Sequence, residues 1–236
     1  MTINLENTLA LEAIAFERDP LRWMEGSDAF VKPQQQRSKE SLGRIVTSAV
    51  NLFATKGLDA TRVADIASGA RVPVGTVYKH FADKEALLAA IVAGYRACRM
   101  REITELCTSP AARAASPRQI VELHLNIVFT AFTVDAGLLR LIERQRLENP
   151  AVHQDQSNAN DIVASLVADL LVDKLPDRDP ERLRRQVLYA HSIIRGAVVW
   201  SVLPIGGEYG RGLKVTDVDF ASEALEMALR YLRIER

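Results

Sequence analysis

Residues 61–88 read TRVADIASGARVPVGTVYKHFADKEALL, and this stretch decides the fold of the N-terminal part of the chain. Its apolar residues recur at helical spacing, in a short run that Thr61 is expected to cap. Pro73 suits the first position of a second short helix, because a proline lacks only an N–H that would have no partner there. Asp83 is expected to cap a third, longer helix. The stretch therefore predicts three helices joined by tight turns.

The second of these helices presents a small, polar and basic outer face, which consists of Gly75, Thr76, Lys79 and His80. This composition suits a helix that enters the major groove of DNA. Glycine allows close backbone approach, threonine can donate or accept a hydrogen bond, and lysine and histidine can reach phosphates or base edges. Tyr78 at the flank and Lys84 at the start of the next helix are placed to meet phosphates.

Helical periodicity continues on both sides of this stretch. Residues 1–36 are interpreted as an arm, and an apolar stripe predicts a helix from about Ser38 to Lys56. The helix after Asp83 is expected to reach about Cys107 and to be followed by a connector over 108–117. Later apolar-periodic segments lie near 118–134, 136–148, 155–175, 180–203 and 218–234. We predict an all-α protein of about nine helices, with domains at 37–84 and 85–236 and with helix 85–107 as their connector.

Composition and charge narrow the function classes. The chain has 236 residues, 48% of them hydrophobic and 25% charged, which is typical of a globular protein. The net charge is zero, yet residues 37–106 carry 11 basic and 7 acidic side chains, an excess that suits a polyanionic partner. Two cysteines make no disulfide framework. Apolar stretches are too short to span a membrane and no signal peptide is evident, so we expect a cytoplasmic protein.

The residues from Thr61 to Leu88 resemble the helix-turn-helix signature of the TetR (tetracycline-repressor) family of bacterial regulators, above all the run Gly-Thr-x-Tyr-x-x-Phe followed by Lys-Glu-x-Leu. The resemblance implies that Thr61 and Arg62 hold phosphate and that Lys79, His80 and Lys84 grip the DNA backbone. The residues that it places toward the groove are Val74, Gly75, Thr76 and Tyr78. Two residues depart from the family pattern: Arg71 stands where glycine is common in the turn, and Pro73 where serine often caps the helix.

The resemblance also implies a C-terminal bundle that binds a small molecule and dimerises through its last two helices. The faces expected at the dimer interface are Val187, Ala190, Ile194, Ala197 and Ser201 in one helix and Leu225, Ala228, Leu229 and Leu232 in the other. The candidates for the apolar lining of a pocket are Phe129, Phe132, Leu139, Trp200 and Met227, and the polar candidates are His124, Asn126, Thr130, His191 and Arg195.

No catalytic motif is recognisable, and the four histidines lack metal-ligand spacing, so we expect neither an enzyme nor a cofactor or metal. The favoured interpretation is a homodimeric repressor that a small-molecule effector releases from a palindromic double-stranded DNA operator. One alternative is a helical small-molecule-binding or scaffold protein with impaired DNA recognition, which Arg71 and Pro73 make credible. Another is a transcriptional activator, which the sequence does not distinguish from a repressor.

Overall fold

The computed structural model describes residues 22–24, 36–134, 136–148, 150–202 and 218–234. These residues form ten α-helices and no strand, which confirms the predicted all-α class. The helices are α1 Gln36–Lys56, α2 Val63–Ala70, α3 Val74–Tyr78, α4 Lys84–Thr108, α5 Pro110–Ala114, α6 Pro117–Val134, α7 Ala136–Glu148, α8 Pro150–Lys174, α9 Pro180–Val202 and α10 Val218–Leu232.

The helix beyond the nine predicted is α5, which forms in the segment predicted to be a connector. Ser109 is the N-cap of α5, and its side-chain oxygen accepts a hydrogen bond from the Ala112 N–H at 3.1 Å. Pro110 takes the first helical position, where a proline costs nothing, and alanines supply most of the rest of the helix. The connector prediction was therefore wrong over these five residues.

The chain divides into two compact units. Among the described residues, the N-terminal unit consists of 22–24, 36–101 and 137–144, and the C-terminal unit of 102–134, 136, 145–148, 150–202 and 218–234. The predicted boundary at 84/85 lies at the start of α4, whereas the compact units divide within α4, between residues 101 and 102. The N-terminal unit also takes in most of α7, which the sequence had assigned to the C-terminal domain.

The core of the N-terminal unit forms around α1. The apolar stripe of this helix is buried, as predicted, at Leu42, Ile45, Ala49 and Phe53. Within the described part of the predicted arm, Trp23 is almost fully buried, and its ring meets Tyr95 of α4 edge-on with centroids 4.9 Å apart. The rest of residues 1–35 lies outside the described part of the chain.

In the C-terminal unit α6, α8, α9 and α10 pack against one another. The faces expected at a dimer interface are largely buried inside this unit instead, at Val187, Ala190, Ile194, Leu225, Ala228, Leu229 and Leu232. These residues therefore complete the core of one chain, and the dimer prediction for them was wrong. Ala197 is exposed, and the side chain of Ser201 lies outside the described residues.

In the described part of the chain, no helix combines the length and the apolar character that a membrane span needs.

Candidate nucleic-acid interface

Helix α2 begins one residue later than the sequence suggested. Arg62, in extended conformation, is the N-cap residue, and its backbone N–H donates to the Asp65 carboxylate at 3.4 Å. Thr61 is buried, and its hydroxyl donates to the Gly57 carbonyl at 2.7 Å. Thr61 thus neither caps the helix nor presents its side chain to a phosphate. Both predictions for Thr61 are corrected, whereas Arg62 is exposed as an interface residue should be.

The turn between α2 and α3 has a left-handed residue at Arg71, a backbone geometry that glycine adopts more readily than arginine. Arg71 is left-handed, with φ 54° and ψ 48°. Its backbone N–H donates to the Ser68 carbonyl at 3.0 Å, and the N–H of Val72 donates to the Ala67 carbonyl at 3.0 Å. This pair of bonds is a Schellman motif, which satisfies two carbonyls at the end of α2. The hydrogen bonds offset the steric cost of the side chain, so an arginine here is compatible with the turn.

Replacing Arg71 by Gly is expected to stabilise the protein by up to about 1 kcal/mol, because glycine adopts positive φ without a Cβ penalty. Urea unfolding of the full chain measures the change. Arg71→Ala is the matched control, since it removes the same side chain but keeps the Cβ. An equal gain in both variants would show that the arginine side chain, and not the left-handed backbone, is the source of the cost.

Helix α3 starts directly after this turn. Pro73 is its N-cap residue, with φ −61° and ψ 144°. The helix therefore begins at Val74, one residue later than expected. Val77 is buried against the unit, whereas Val74 and Tyr78 are exposed at 41% and 55%. Lys79 and Gly75 are exposed, and Thr76 and His80 are half-buried. The outer face of α3 predicted from the sequence is thus available for contact with a partner.

Gly75 is a glycine inside a helix, and its surroundings and backbone conformation show whether the fold requires it. A Cβ built on Gly75 would meet no heavy atom within 4 Å among the described residues, and its φ is not in the left-handed region. Neither packing nor backbone geometry within this chain therefore requires glycine. Glycine in a helix costs about 1 kcal/mol relative to alanine.

His80 is placed to act as a neutral donor. Partial burial lowers the pKa of its imidazole below the ordinary value, and the positive charge of Lys79 lowers it further. A neutral imidazole carries one N–H, so near pH 7 it can donate a hydrogen bond but adds no charge. Among the predicted interface residues, Lys79 and Arg62 are exposed and carry a positive charge instead.

Lys84 has a structural role that the sequence did not reveal. Its Nζ donates to the carbonyls of Leu58, Asp59 and Thr61 at 2.8, 3.2 and 3.2 Å. An ammonium group has three donors, and these three bonds use them all. The phosphate contact predicted for Lys84 is therefore corrected: this lysine secures the turn between α1 and α2.

Replacing Lys84 by Met is expected to destabilise the N-terminal unit by about 1–3 kcal/mol, because three carbonyls lose a charged donor while a similar apolar stem remains. Thermal unfolding, together with amide hydrogen exchange in α1 and α2, measures the loss. Lys79→Met is the control, since Lys79 is exposed and its loss should leave stability unchanged. Equal stability of the two variants would contradict the role given to Lys84.

Sequence reasoning also missed the contacts that hold α2 against α1. The Nε of Arg44 donates to the Ala70 carbonyl at 3.0 Å, at the negative end of the α2 dipole. The hydroxyl of Ser48 donates to the Ile66 carbonyl at 2.9 Å, and a Cβ on Gly69 would collide with that hydroxyl. A glycine inside the helical pattern of α2 was the available signal for this close approach.

The ligand candidates in the sequence do not form one site. Trp200 and Met227 are exposed at 61% and 41%, which is unlike the lining of a pocket. Leu139 belongs to the N-terminal unit, and the side chain of Phe132 lies outside the described residues. Inside the C-terminal unit, Phe129 is buried and meets Phe220 of α10 edge-on, with ring centroids 5.7 Å apart.

All five polar candidates lie in the C-terminal unit. His124 and His191 are buried and hydrogen-bonded to each other at 2.8 Å, and Arg195 lies one turn after His191 on α9. Asn126 is buried and Thr130 half-buried. The described residues contain no group of three or more metal-ligating side chains.

One side of α9 carries exposed apolar residues. Tyr189, Ile193 and Trp200 are exposed at 63%, 51% and 61%, and their spacing places them on one face, with Gly196 between them. We call these four residues the α9 stripe. A Cβ on Gly196 would meet no heavy atom within 4 Å, so this glycine, like Gly75, has no packing role within the part of the chain that the structure describes.

The sequence of the N-terminal unit matches known proteins. Residues 45–91 match the family model described as "Bacterial regulatory proteins, tetR family". Over 74 residues the chain is 36% identical to the HTH-type transcriptional repressor KstR2 of Mycobacterium tuberculosis, a match that covers 30% of this chain and 37% of KstR2. The chain thus spans less than two thirds of the length of this curated relative.

Solved structures extend the likeness to the whole fold. A TetR-family transcriptional regulator of Mesorhizobium loti is 21% identical, with a TM-score of 0.62 and coverage of 83% of this chain and 98% of that one. The fatty acid degradation regulator FadR of Bacillus halodurans is 17% identical, with a TM-score of 0.57 and coverage of 84% and 97%. At these identities the likeness establishes the helical architecture alone.

Proposed function

Since the chain belongs to the TetR family of bacterial regulatory proteins, we propose that it is a homodimeric transcriptional repressor. The outer face of α3 binds a palindromic operator in double-stranded DNA, and a small-molecule effector releases the protein. Lys79 and Arg62 contact phosphates, His80 donates a hydrogen bond, and Thr76 and Tyr78 meet the groove beside Val74 and Gly75. Apart from Arg62, which is the N-cap of α2, these residues lie on or next to one short exposed helix.

The observation that carries this proposal is the glycine at position 75. Glycine costs α3 helical stability, and neither its surroundings nor its backbone conformation requires it. A requirement from outside the chain explains it: the floor of a DNA groove that approaches the backbone of α3 closely leaves no room for a Cβ. The exposed Val74 and Tyr78 on the same helix support an external partner too.

Replacing Gly75 by Ala is expected to have opposite effects on stability and on binding. The variant gains up to about 1 kcal/mol in unfolding free energy and loses at least about tenfold in affinity for specific DNA through a steric clash, which is about 1.4 kcal/mol or more. Urea unfolding and fluorescence-anisotropy titration measure the two quantities. Ser68→Ala, on the exposed side of α2, is the control and should leave DNA affinity unchanged. A Gly75→Ala variant that binds DNA as well as the parent would contradict the proposal.

We propose that the α9 stripe is the dimer interface. Tyr189, Ile193 and Trp200 form an apolar surface that a monomer would leave in water, and Gly196 allows a second helix to approach closely. On α10, Met227 and Tyr231 are likewise exposed one turn apart. A symmetric dimer can hold two α3 helices about one DNA turn, roughly 34–36 Å, apart, as a palindrome requires.

We propose that the effector binds the C-terminal unit and acts through α4, which begins in the N-terminal unit and ends in the C-terminal unit. The effector would release DNA if it bound one of two conformations of the protein more tightly than the other by about 1–3 kcal/mol. Two structural relatives are named for apolar molecules, the ketosteroid transcriptional regulator KstR2 of Mycobacterium tuberculosis and the fatty acid degradation regulator FadR, so we propose an apolar effector here. The departures at Arg71 and Pro73, on which the scaffold alternative depended, fit a regular turn and helix start.

A further inference from the structure

A pair of stacked histidines lies in the interior of the C-terminal unit. His124 of α6 and His191 of α9 are 2% and 3% exposed. The Nε2 of His124 and the Nδ1 of His191 are 2.8 Å apart, and the two rings are nearly parallel, with centroids 5.1 Å apart. Residues one turn away on both helices, Val121, Val128, Val187 and Ile194, are buried and apolar. The two histidines are therefore polar residues with buried apolar neighbours on their own helices.

The hydrogen bond between the rings uses two of the four ring nitrogens and leaves the Nε2 of His191 open. Burial lowers the pKa of His124 to about 3 and that of His191 to about 4, so both imidazoles are neutral at pH 7. One proton is then shared between Nε2 of His124 and Nδ1 of His191. The Nε2 of His191 is buried, and no hydrogen-bond partner for it exists among the residues that the structure describes. Leaving such a group unpaired costs about 1–3 kcal/mol.

A positive charge lies near the open nitrogen. Arg195 follows His191 by one turn of α9, and its charge is the second cause, after burial, of the lowered pKa of His191. When His124 donates to Nδ1 of His191, the Nε2 of His191 carries a hydrogen. An N–H donor beside a guanidinium is suited to an anionic oxygen.

We propose that Nε2 of His191 and Arg195 recognise the carboxylate of an effector with an apolar body, and that His124 holds the imidazole of His191 in the tautomer that donates. This inference rests on the proposed effector response and names the chemical class of the effector. The carboxylate satisfies the open donor, and the apolar side chains around the pair accept the remainder of the molecule. His191 and Arg195 are binding residues, and His124 is a positioning residue.

The test uses the full-length protein and four probes: dodecanoate and 2-naphthoate as apolar acids, and dodecan-1-ol and 2-naphthol as neutral analogues of matched shape. Isothermal titration calorimetry measures affinity. At least one acid should bind about tenfold or more tighter than its neutral analogue. In ¹⁵N-histidine NMR spectra the same acid should shift the Nε2 resonance of His191 toward a hydrogen-bonded N–H. Both acids binding no tighter than their analogues, or no ligand-induced shift at His191, would overturn the inference and leave an internal water as the partner of Nε2.

Variants separate recognition from folding. Arg195→Gln, at a half-buried position, should fold and lose the preference for the acid, and His191→Leu should lose the acid and the NMR signal together. Arg185→Gln, the same substitution at an exposed position of α9, is the control and should bind the acid like the parent protein. DNA binding measured on the same preparations keeps two failures apart: a protein that binds specific DNA but no acid contradicts this inference alone, and one that binds the acid but no specific DNA contradicts the DNA-binding proposal.

Discussion

Replacing Ile193 by Asp is expected to convert the protein from dimer to monomer and to lower its affinity for a palindromic operator by at least about 100-fold. Ile193 is the central apolar side chain of the α9 stripe and is 51% exposed in a single chain. In a symmetric interface it meets its own copy or a near neighbour, so the substitution buries two carboxylates at one contact. A monomer binds one half-site only and loses the effective concentration that the partner provides.

Sedimentation equilibrium and anisotropy titration with a palindromic duplex measure the two effects. The control is Ile162→Asp on α8, the same substitution at a residue that is 49% exposed in the same unit. That variant should remain a dimer and bind DNA like the parent. An Ile193→Asp protein that stays dimeric would place the interface elsewhere, and equal losses in both variants would show that the substitution acts on folding rather than on association.

Acidification is expected to destabilise the protein steeply below about pH 6.5, through the buried histidine pair. The folded pKa values of His124 and His191, about 3 and about 4, lie below the ordinary value of 6.5 because of burial, followed by the positive charges of the other histidine and of Arg195. The unfolded chain therefore binds more protons than the native one in this window. Stability is fully present above about pH 6.5, and it is lost as the pH falls toward the folded values, by up to about 3 kcal/mol per pH unit for two protons.

Urea midpoints between about pH 5 and 7, above the range in which most carboxylates titrate, measure this slope. A His124→Leu/His191→Leu double variant, which leaves no buried imidazole to protonate, should have a much flatter profile. His80→Gln is the control and should keep most of the slope, because His80 is only half-buried and its pKa is lowered less. A double variant as acid-sensitive as the parent would contradict the role of the pair.

Apolar periodicity was sufficient to predict most helices of this chain. The predicted ends at 118–134, 136–148 and 180–203 differ from the observed ones by a residue or less. Asp83 caps α4 as expected, since its carboxylate accepts from the Ala86 N–H at 2.6 Å. Helix α8 begins at Pro150 rather than near 155, and proline at a first helical position was the signal that was overlooked.

The roles of Thr61 and Lys84 could not be derived from local pattern. Each side chain binds backbone carbonyls in the turn after α1, and in the case of Lys84 these lie 23 to 26 residues away in sequence. Such contacts depend on how the helices pack, which a motif does not encode. Lys84 is basic and close in sequence to the helix proposed to contact DNA, so sequence position alone suggested a phosphate contact.

The prediction of the dimer face was wrong for a different reason. Helix α9 is apolar on two sides, and periodicity identifies both without saying which one packs within the chain. The small and branched residues Val187, Ala190 and Ile194 form the inner side, and the larger aromatic residues Tyr189 and Trp200 lie outside. Hydrophobic character alone therefore did not distinguish core from interface.

Selection from a library of randomised DNA duplexes tests whether α3 reads DNA sequence. Full-length protein is bound to the library at several salt concentrations between about 50 and 200 mM, and the retained DNA is sequenced. We expect a palindromic motif with two half-sites about one helical turn apart, enriched more strongly as salt suppresses non-specific binding. Thr76→Ala should enrich a motif that differs inside the half-sites, and Lys79→Ala the same motif at weaker affinity. Retained DNA with no enriched motif at any salt concentration would contradict the claim.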